Sequence, residues 1–211
     1  MDFEKLIARV KAILLTPKTE WPVIAAEPTT VADLYKNYIL ILAAIPAIAG
    51  FITSSLIGYS IMNVTIRVPI GMGLTSMVVG YALSLAITYV LALIIDALAP
   101  NFGGEKNPVQ ALKTAAYSYT ASWVAGAALI LPWIGFLIVL VGAVYGIYLL
   151  YLGLPETMKA PKDKVVGYLV VTIVAAILLG WVVSLVVAGI IGNGTMNAAA
   201  QIGSQLGGAG R

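Results

Sequence analysis

The sequence predicts an all-α, polytopic integral membrane protein. The expected architecture is a bundle of five transmembrane helices with an amphipathic interfacial helix at its N-terminal end, N-terminus in the cytoplasm and C-terminus outside. Three observations carry this reading. Of 211 residues, 61% are apolar and only 10% charged, with a mean hydropathy of +0.99, a balance that ordinary water-soluble domains of this size do not show. The apolar residues gather in five stretches, 37–58, 70–98, 112–131, 134–154 and 165–191, and of all the charged residues only Asp96 and Lys113 lie inside them, each near an end. The basic residues fall very unevenly on the two sides of those stretches.

Residues 1–36 form a charged N-terminal region. Phe3, Leu6, Ile7, Val10, Ile13 and Leu14 recur at helical spacing, with Lys5, Arg9 and Lys11 elsewhere around the helix, so residues 2–15 suit a helix lying in the membrane interface. Charges recur throughout this region, and a cleavable signal peptide is not expected. Thr16-Pro17 breaks the first helix and starts a new turn, and Trp21 suits an interfacial anchor. Thr30-Val31-Ala32-Asp33 reads as a capping box opening the first span.

Each apolar stretch meets or exceeds the roughly 20 residues that a helix needs to cross a bilayer. All are apolar on every face, which argues against barrel strands. Together, residues 37–191 form the transmembrane domain. Residues 192–211, rich in Gly, Ala, Asn, Gln and Ser, are expected to be a flexible tail.

Orientation follows from Lys and Arg. Five lie in residues 1–36 (Lys5, Arg9, Lys11, Lys18, Lys36), Lys106 and the boundary residue Lys113 lie in the loop near 99–113, and Lys159, Lys162 and Lys164 lie between the fourth and fifth stretches. The opposite side holds only Arg67 and Arg211. Ten against two places the N-terminus in the cytoplasm by the positive-inside rule, and explains the basic pI without a nucleic-acid partner.

The chain has no Cys and no His, which removes thiol catalysis, disulfides, the usual zinc sites and an imidazole base. No phosphate-binding loop, nucleophile elbow or zinc-protease motif is present, so neither an enzyme, a cofactor nor a metal is expected. Gly135, Gly142, Gly146 and Gly153 lie near one face of the fourth span and suit close helix packing, more readily within the chain than between copies. Thr88, Tyr89, Tyr117, Tyr119, Tyr148 and Tyr151 lie in the central or cytoplasmic portions of their helices, where an inward-facing hydroxyl-lined pocket could form with Asp96. The plainer alternatives are an interfacial tyrosine belt, hydrogen bonds between helices, and an Asp96–Lys113 pair. Lys159, Lys162 and Lys164 can meet anionic lipid headgroups.

Several stretches resemble a known family: Pro17 and Trp21 after the first helix, Phe102-Gly103-Gly104, AYSYTASW at 116–123, YGIYLLYLG at 145–153, and GLPETMKAPKDKVVGY at 153–168. Together they are similar to the prokaryotic branch of the Yip (Ypt/Rab-interacting protein) domain family. The resemblance implies five spans and a cytoplasmic N-terminus; eukaryotic relatives associate with Rab-type GTPases and vesicle transport, often as oligomers. Asp33-Leu34-Tyr35 resembles the start of an element preceding the first span in those relatives, with Lys36 and Asn37 replacing its Gly and Pro, and Ala121 stands where many prokaryotic members carry Pro. The functional expectation is a non-enzymatic organiser or adaptor of a prokaryotic cytoplasmic membrane, acting through the bilayer, its anionic lipids, a homo-oligomer or other membrane proteins. The alternative is a small-solute or ion transporter with a cytoplasm-facing cavity.

Overall fold

A computed structural model describes residues 3–61, 64–131 and 134–208, with the side chains of 59–65 and 190–208 outside the description. Two short helices, α1 (Phe3–Leu15) and α2 (Pro17–Ala26), precede a bundle of long ones. Pro17 occupies the first turn of α2, where its missing N–H costs nothing. Thr30 caps α3 (Val31–Leu34), its hydroxyl accepting from the Asp33 backbone N–H at 3.1 Å and donating to Asp33 Oδ2 at 2.7 Å. α3 runs through a π-helical turn, Tyr35–Ile39, into α4 (Leu40–Phe51) and a second π-helical segment, Ile52–Ile57, giving a continuous rod over Val31–Ile57. A two-stranded antiparallel hairpin, β1 (Tyr59–Ile61) and β2 (Val64–Ile66), returns the chain to α5 (Ile70–Leu98). Then follow α6 (Pro108–Gly126), α7 (Ile134–Met158) and α8 (Val165–Gly208).

Four helical segments among the described residues are long and apolar enough to cross a membrane: Val31–Ile57, Ile70–Phe102, Ile134–Met158 and Val165–Gly189. The five-span expectation is met by four segments on this measure. α6 falls short because Lys113, Thr114, Ser118 and Thr120 punctuate it. Those four residues are all buried: α6 is the bundle's most enclosed long helix, packed against α4, α5 and α7. Two of its threonine hydroxyls find partners inside, while the Ser118 hydroxyl is buried without one among the described residues. Thr120 Oγ1 meets Tyr38 Oη at 2.7 Å, and Thr114 Oγ1 meets Thr157 Oγ1 at 2.5 Å.

The glycine row of α7 faces α6. A Cβ on Gly142 would clash with Ala125 Cβ and lie 2.9 Å from the Ala121 carbonyl; one on Gly146 would lie 3.0 Å from the Ser118 carbonyl; one on Gly135 would meet the Ala128 carbonyl. Backbone therefore lies against backbone along most of the interface, as packing in a membrane demands, since lipid supplies no hydrophobic drive between helices. Gly126 does the same for Pro46 of α4, whose Cβ would be 2.6 Å from an added methyl. Tyrosine hydroxyls add clips from side chain to neighbouring backbone: Tyr35 donates to the Leu85 carbonyl at 2.8 Å, Tyr81 to Leu40 at 2.8 Å, and Tyr145 to Leu14 at 2.7 Å.

α8 packs mainly on α5 and remains largely exposed. It continues as helix through Gly208, while its side chains from 190 onward and residues 209–211 lie outside the described residues, so the mobility expected of 192–211 falls there. α1 divides its apolar stripe. Leu6 and Ile13 are buried against the bundle, whereas Phe3, Ile7 and Leu15 stay exposed.

Replacing Gly142 with Val should lower stability by about 1–3 kcal/mol, the usual cost of overpacking a filled interface. Thermal unfolding in detergent will show a reduced Tm, and a Gly180→Val control, where an added Cβ meets nothing within 4 Å, will show little change.

Candidate functional site: a charged vestibule at the N-terminal end

The end of the bundle that carries α1 and α2 also gathers the last turns of α5 and α7 and the first turns of α6 and α8. What fixes α2 there is Lys113. Its side chain is buried, and its ammonium donates to the carbonyls of Ile24 at 2.7 Å and Glu27 at 2.6 Å, with Ala25 at 3.4 Å. Gln110 Nε2 adds a bond to Ala25 O at 2.8 Å. The carbonyls closing a helix lack partners within it and carry partial negative charge, so a cation there is doubly favourable. The expected pairing of Lys113 with Asp96 does not form, because α2 takes the ammonium first; Asp96 Oδ1 is buried without a hydrogen-bond partner.

Trp21, expected as an interfacial anchor, is instead fully buried. Its ring occupies the gap left by Gly153, where an added Cβ would lie 2.7 Å away, and meets Tyr117 edge-on at 6.2 Å. α2 is therefore keyed into the bundle by an aromatic ring at one point and by Lys113 at another.

α1 is tied to α2 by Arg9, whose two terminal nitrogens donate separately to Glu20 Oε1 and Glu27 Oε2. Between α1, α2, the start of the Val31–Ile57 rod and α6 lies a cavity of about 660 Å³. Its rim carries Lys5, Arg9, Glu20, Glu27 and Asp33, and its floor is Tyr38 and Tyr117. Those two rings lie 4.5 Å apart, and the Tyr38 hydroxyl is engaged by Thr120, so the cavity is closed toward the bundle interior. Chemically, the rim can offer both signs of charge to a polar ligand or peptide, with an aromatic wall beneath.

The seven residues expected to line a pocket do not converge. Tyr117 alone reaches the vestibule. Thr88 is buried and donates to Ser84 O within α5. Tyr89, Tyr148 and Tyr151 lie on the outer surface, and Tyr119 stacks on Trp123 at 5.7 Å beside a separate apolar crevice of about 350 Å³. Asp96 sits by Tyr168, whose hydroxyl donates to Ile95 O and whose ring stacks on Phe102 at 5.1 Å. The three loop lysines also separate. Lys159 pairs with Glu105 at 2.8 Å, Lys162 lines a cavity beside α2, and Lys164 lies near Gly103.

Sequence reasoning missed Arg9, Glu20 and Glu27 as a unit. One signal was available: Glu20 and Glu27 are seven residues apart, hence on one side of α2, and a lone arginine on the preceding helix is the natural counter-ion.

A bundle of long apolar helices, glycine-packed around one polar helix and closed at one end by a charged cap, defines a multi-pass helical membrane protein. The sequence matches the Yip1 domain over residues 11–200, and the chain belongs to that family. It is similar to the inner membrane protein YohC of Escherichia coli strain K12 and to that of E. coli O6:H1 strain CFT073, each 28% identical over 176 residues, covering 82% of this chain and 90% of the relative. No solved structure matches it.

Replacing Lys113 with Met should release α2, since the buried carbonyl of Ile24 loses its donor at a cost of about 1–3 kcal/mol and the part-buried carbonyl of Glu27 loses the same donor. Limited proteolysis should then cut within residues 16–30 at low protease, where the parent resists.

Proposed function

We propose that this chain is a five-span protein of a prokaryotic inner membrane, with α6 as the central span and the vestibule in the cytoplasm, acting as a non-enzymatic organiser or adaptor of other membrane proteins. The observation that carries the reading is the vestibule itself. Its rim is charged and accessible, its walls are held by ion pairs and helix-end bonds, and its floor is the packed pair Tyr38 and Tyr117, with Tyr38 bonded to Thr120 behind it. A cavity that is open on one side and stopped by packed aromatics suits docking of a polar segment better than passage of a solute. The ten-to-two distribution of Lys and Arg supports the orientation, and the names of the E. coli relatives support the inner membrane. α6 as a span is supported by its length of 19 residues and a further 3₁₀ turn, and by its enclosure among apolar helices that shield its hydroxyls from lipid. The α7 glycines are spent on α6 and Trp21, so association with another protein would use the vestibule instead.

The chain has no cysteine, so single-cysteine variants can be labelled directly. In intact cells a membrane-impermeant maleimide should modify Arg67→Cys, and should modify Lys11→Cys only after permeabilisation; the reverse pattern defeats the orientation. A photocrosslinker at Val23, on the vestibule wall, should give one adduct of defined mass in native membranes, weakened by Glu20→Lys. A crosslinker at the exposed Val174 of α8 should not give it. Solute flux through proteoliposomes with no Val23 adduct would replace the adaptor reading with transport.

A further inference from the structure

Beside α2, on the side away from the vestibule, lies a second cavity of about 320 Å³, built where α2 meets the end of α7 and the start of α8. Lys18 comes from α2 and Lys162 from the turn between α7 and α8, segments far apart in sequence, and both line it. Neither ammonium is paired with a carboxylate among the described residues, in contrast to Lys159, which Glu105 neutralises. The buried wall is Trp21, whose indole N–H is inaccessible to water and has no hydrogen-bond partner. Tyr151 lines the outer side and is 42% exposed, presenting a further hydroxyl. Leu152, Pro155 and Val165 supply an apolar base. Glu156 is the one acidic residue in the lining, leaving a formal balance of one positive charge.

We propose that this cavity binds the phosphodiester headgroup of an anionic glycerophospholipid. The inference rests on the reading that α7 and α8 cross a bilayer, which puts their junction at headgroup depth; it does not depend on which side that is. Lys18 and Lys162 flank the phosphate, and the Tyr151 hydroxyl donates to one of its oxygens. The apolar base receives the first part of the acyl chains. The single net positive charge matches a monoanionic phosphodiester better than a dianionic phosphate monoester, for which Glu156 is a repulsive neighbour. An exposed tyrosine hydroxyl beside lysines is a set of side chains that serves at the headgroup boundary of membrane proteins.

The test is native mass spectrometry of the full chain in detergent, titrated with phosphatidylglycerol. Each lysine near an anionic lipid surface contributes about fivefold in affinity, so a Lys18→Gln/Lys162→Gln double variant should bind on the order of 25-fold more weakly. Tyr151→Phe, which keeps the ring but removes the exposed donor, should bind more weakly than the parent, while Lys159→Gln should bind as the parent does. Both lysines of the double variant are exposed, so its fold should be unchanged, as circular dichroism will verify. Equal binding by parent and folded double variant overturns the proposal. Competition by glycerol 1-phosphate or inorganic phosphate as effective as that of the lipid also overturns it, assigning the site to a soluble phosphate. Cysteine labelling of Lys11→Cys and Arg67→Cys reports the topology separately, so a failed lipid site and a failed membrane orientation give different results.

Discussion

The close approach of α6 and α7 governs the rest of the molecule. A helix carrying a lysine and several hydroxyls is a poor companion for lipid, yet α6 lies at the centre of the bundle because α7 presents glycine to it turn after turn. Where side chains are absent, two backbones meet at van der Waals contact, and dispersion supplies what the hydrophobic effect cannot supply between helices in hydrocarbon. With α7 that close, two threonines of α6 reach partners on other helical segments, Thr114 on Thr157 and Thr120 on Tyr38. The remaining helices enclose this pair, α4 through Pro46 on Gly126 and α5 along the opposite side.

The charged cap is an extension of the same interface. Gly153, the last member of the glycine row, faces Trp21 of α2 rather than α6, so the row that brings α6 and α7 together also leaves the socket into which α2 inserts. Lys113 and Gln110, one turn apart at the start of α6, then bind the other end of α2. Arg9 transfers the constraint to α1. The vestibule is therefore shaped by α6 and α7 even though most of its rim belongs to residues before Asn37.

Much of the local structure could be read from the sequence, because it depends on neighbours in the chain. Thr30 and Asp33 cap a helix wherever it lies, and Pro17 starts one for reasons contained in its own ring. The four apolar segments follow from length and composition. What could not be read are contacts set by rotation of one helix against another. Thr88, Tyr89, Tyr148 and Tyr151 share a depth along their helices, but their azimuth is fixed by tertiary packing, and it turns three of them outward. Lys113 and Asp96 are the two charges inside apolar stretches, which suggested a pair. Hydropathy carries no information about α2, whose free carbonyls bind the lysine at far closer range. α6 shows the converse problem: a hydropathy scale measures suitability for lipid, and a helix shielded by its neighbours has no need of it.

The anchors of the N-terminal helices also impose an order on synthesis. α1 and α2 leave the ribosome first, but the residues that hold them come much later: Lys113 is 89 positions beyond Ile24, and Tyr145 is 131 beyond Leu14. Until α6 and α7 have been made and paired, Trp21 has no socket, and Arg9, Glu20 and Glu27 have no floor beneath them. During that interval the N-terminal segment is an amphipathic chain next to a membrane, with only its own charges and the bilayer surface to engage. Closure of the cap therefore requires both later helices, so that a closed cap marks a chain whose α6 and α7 are already in place.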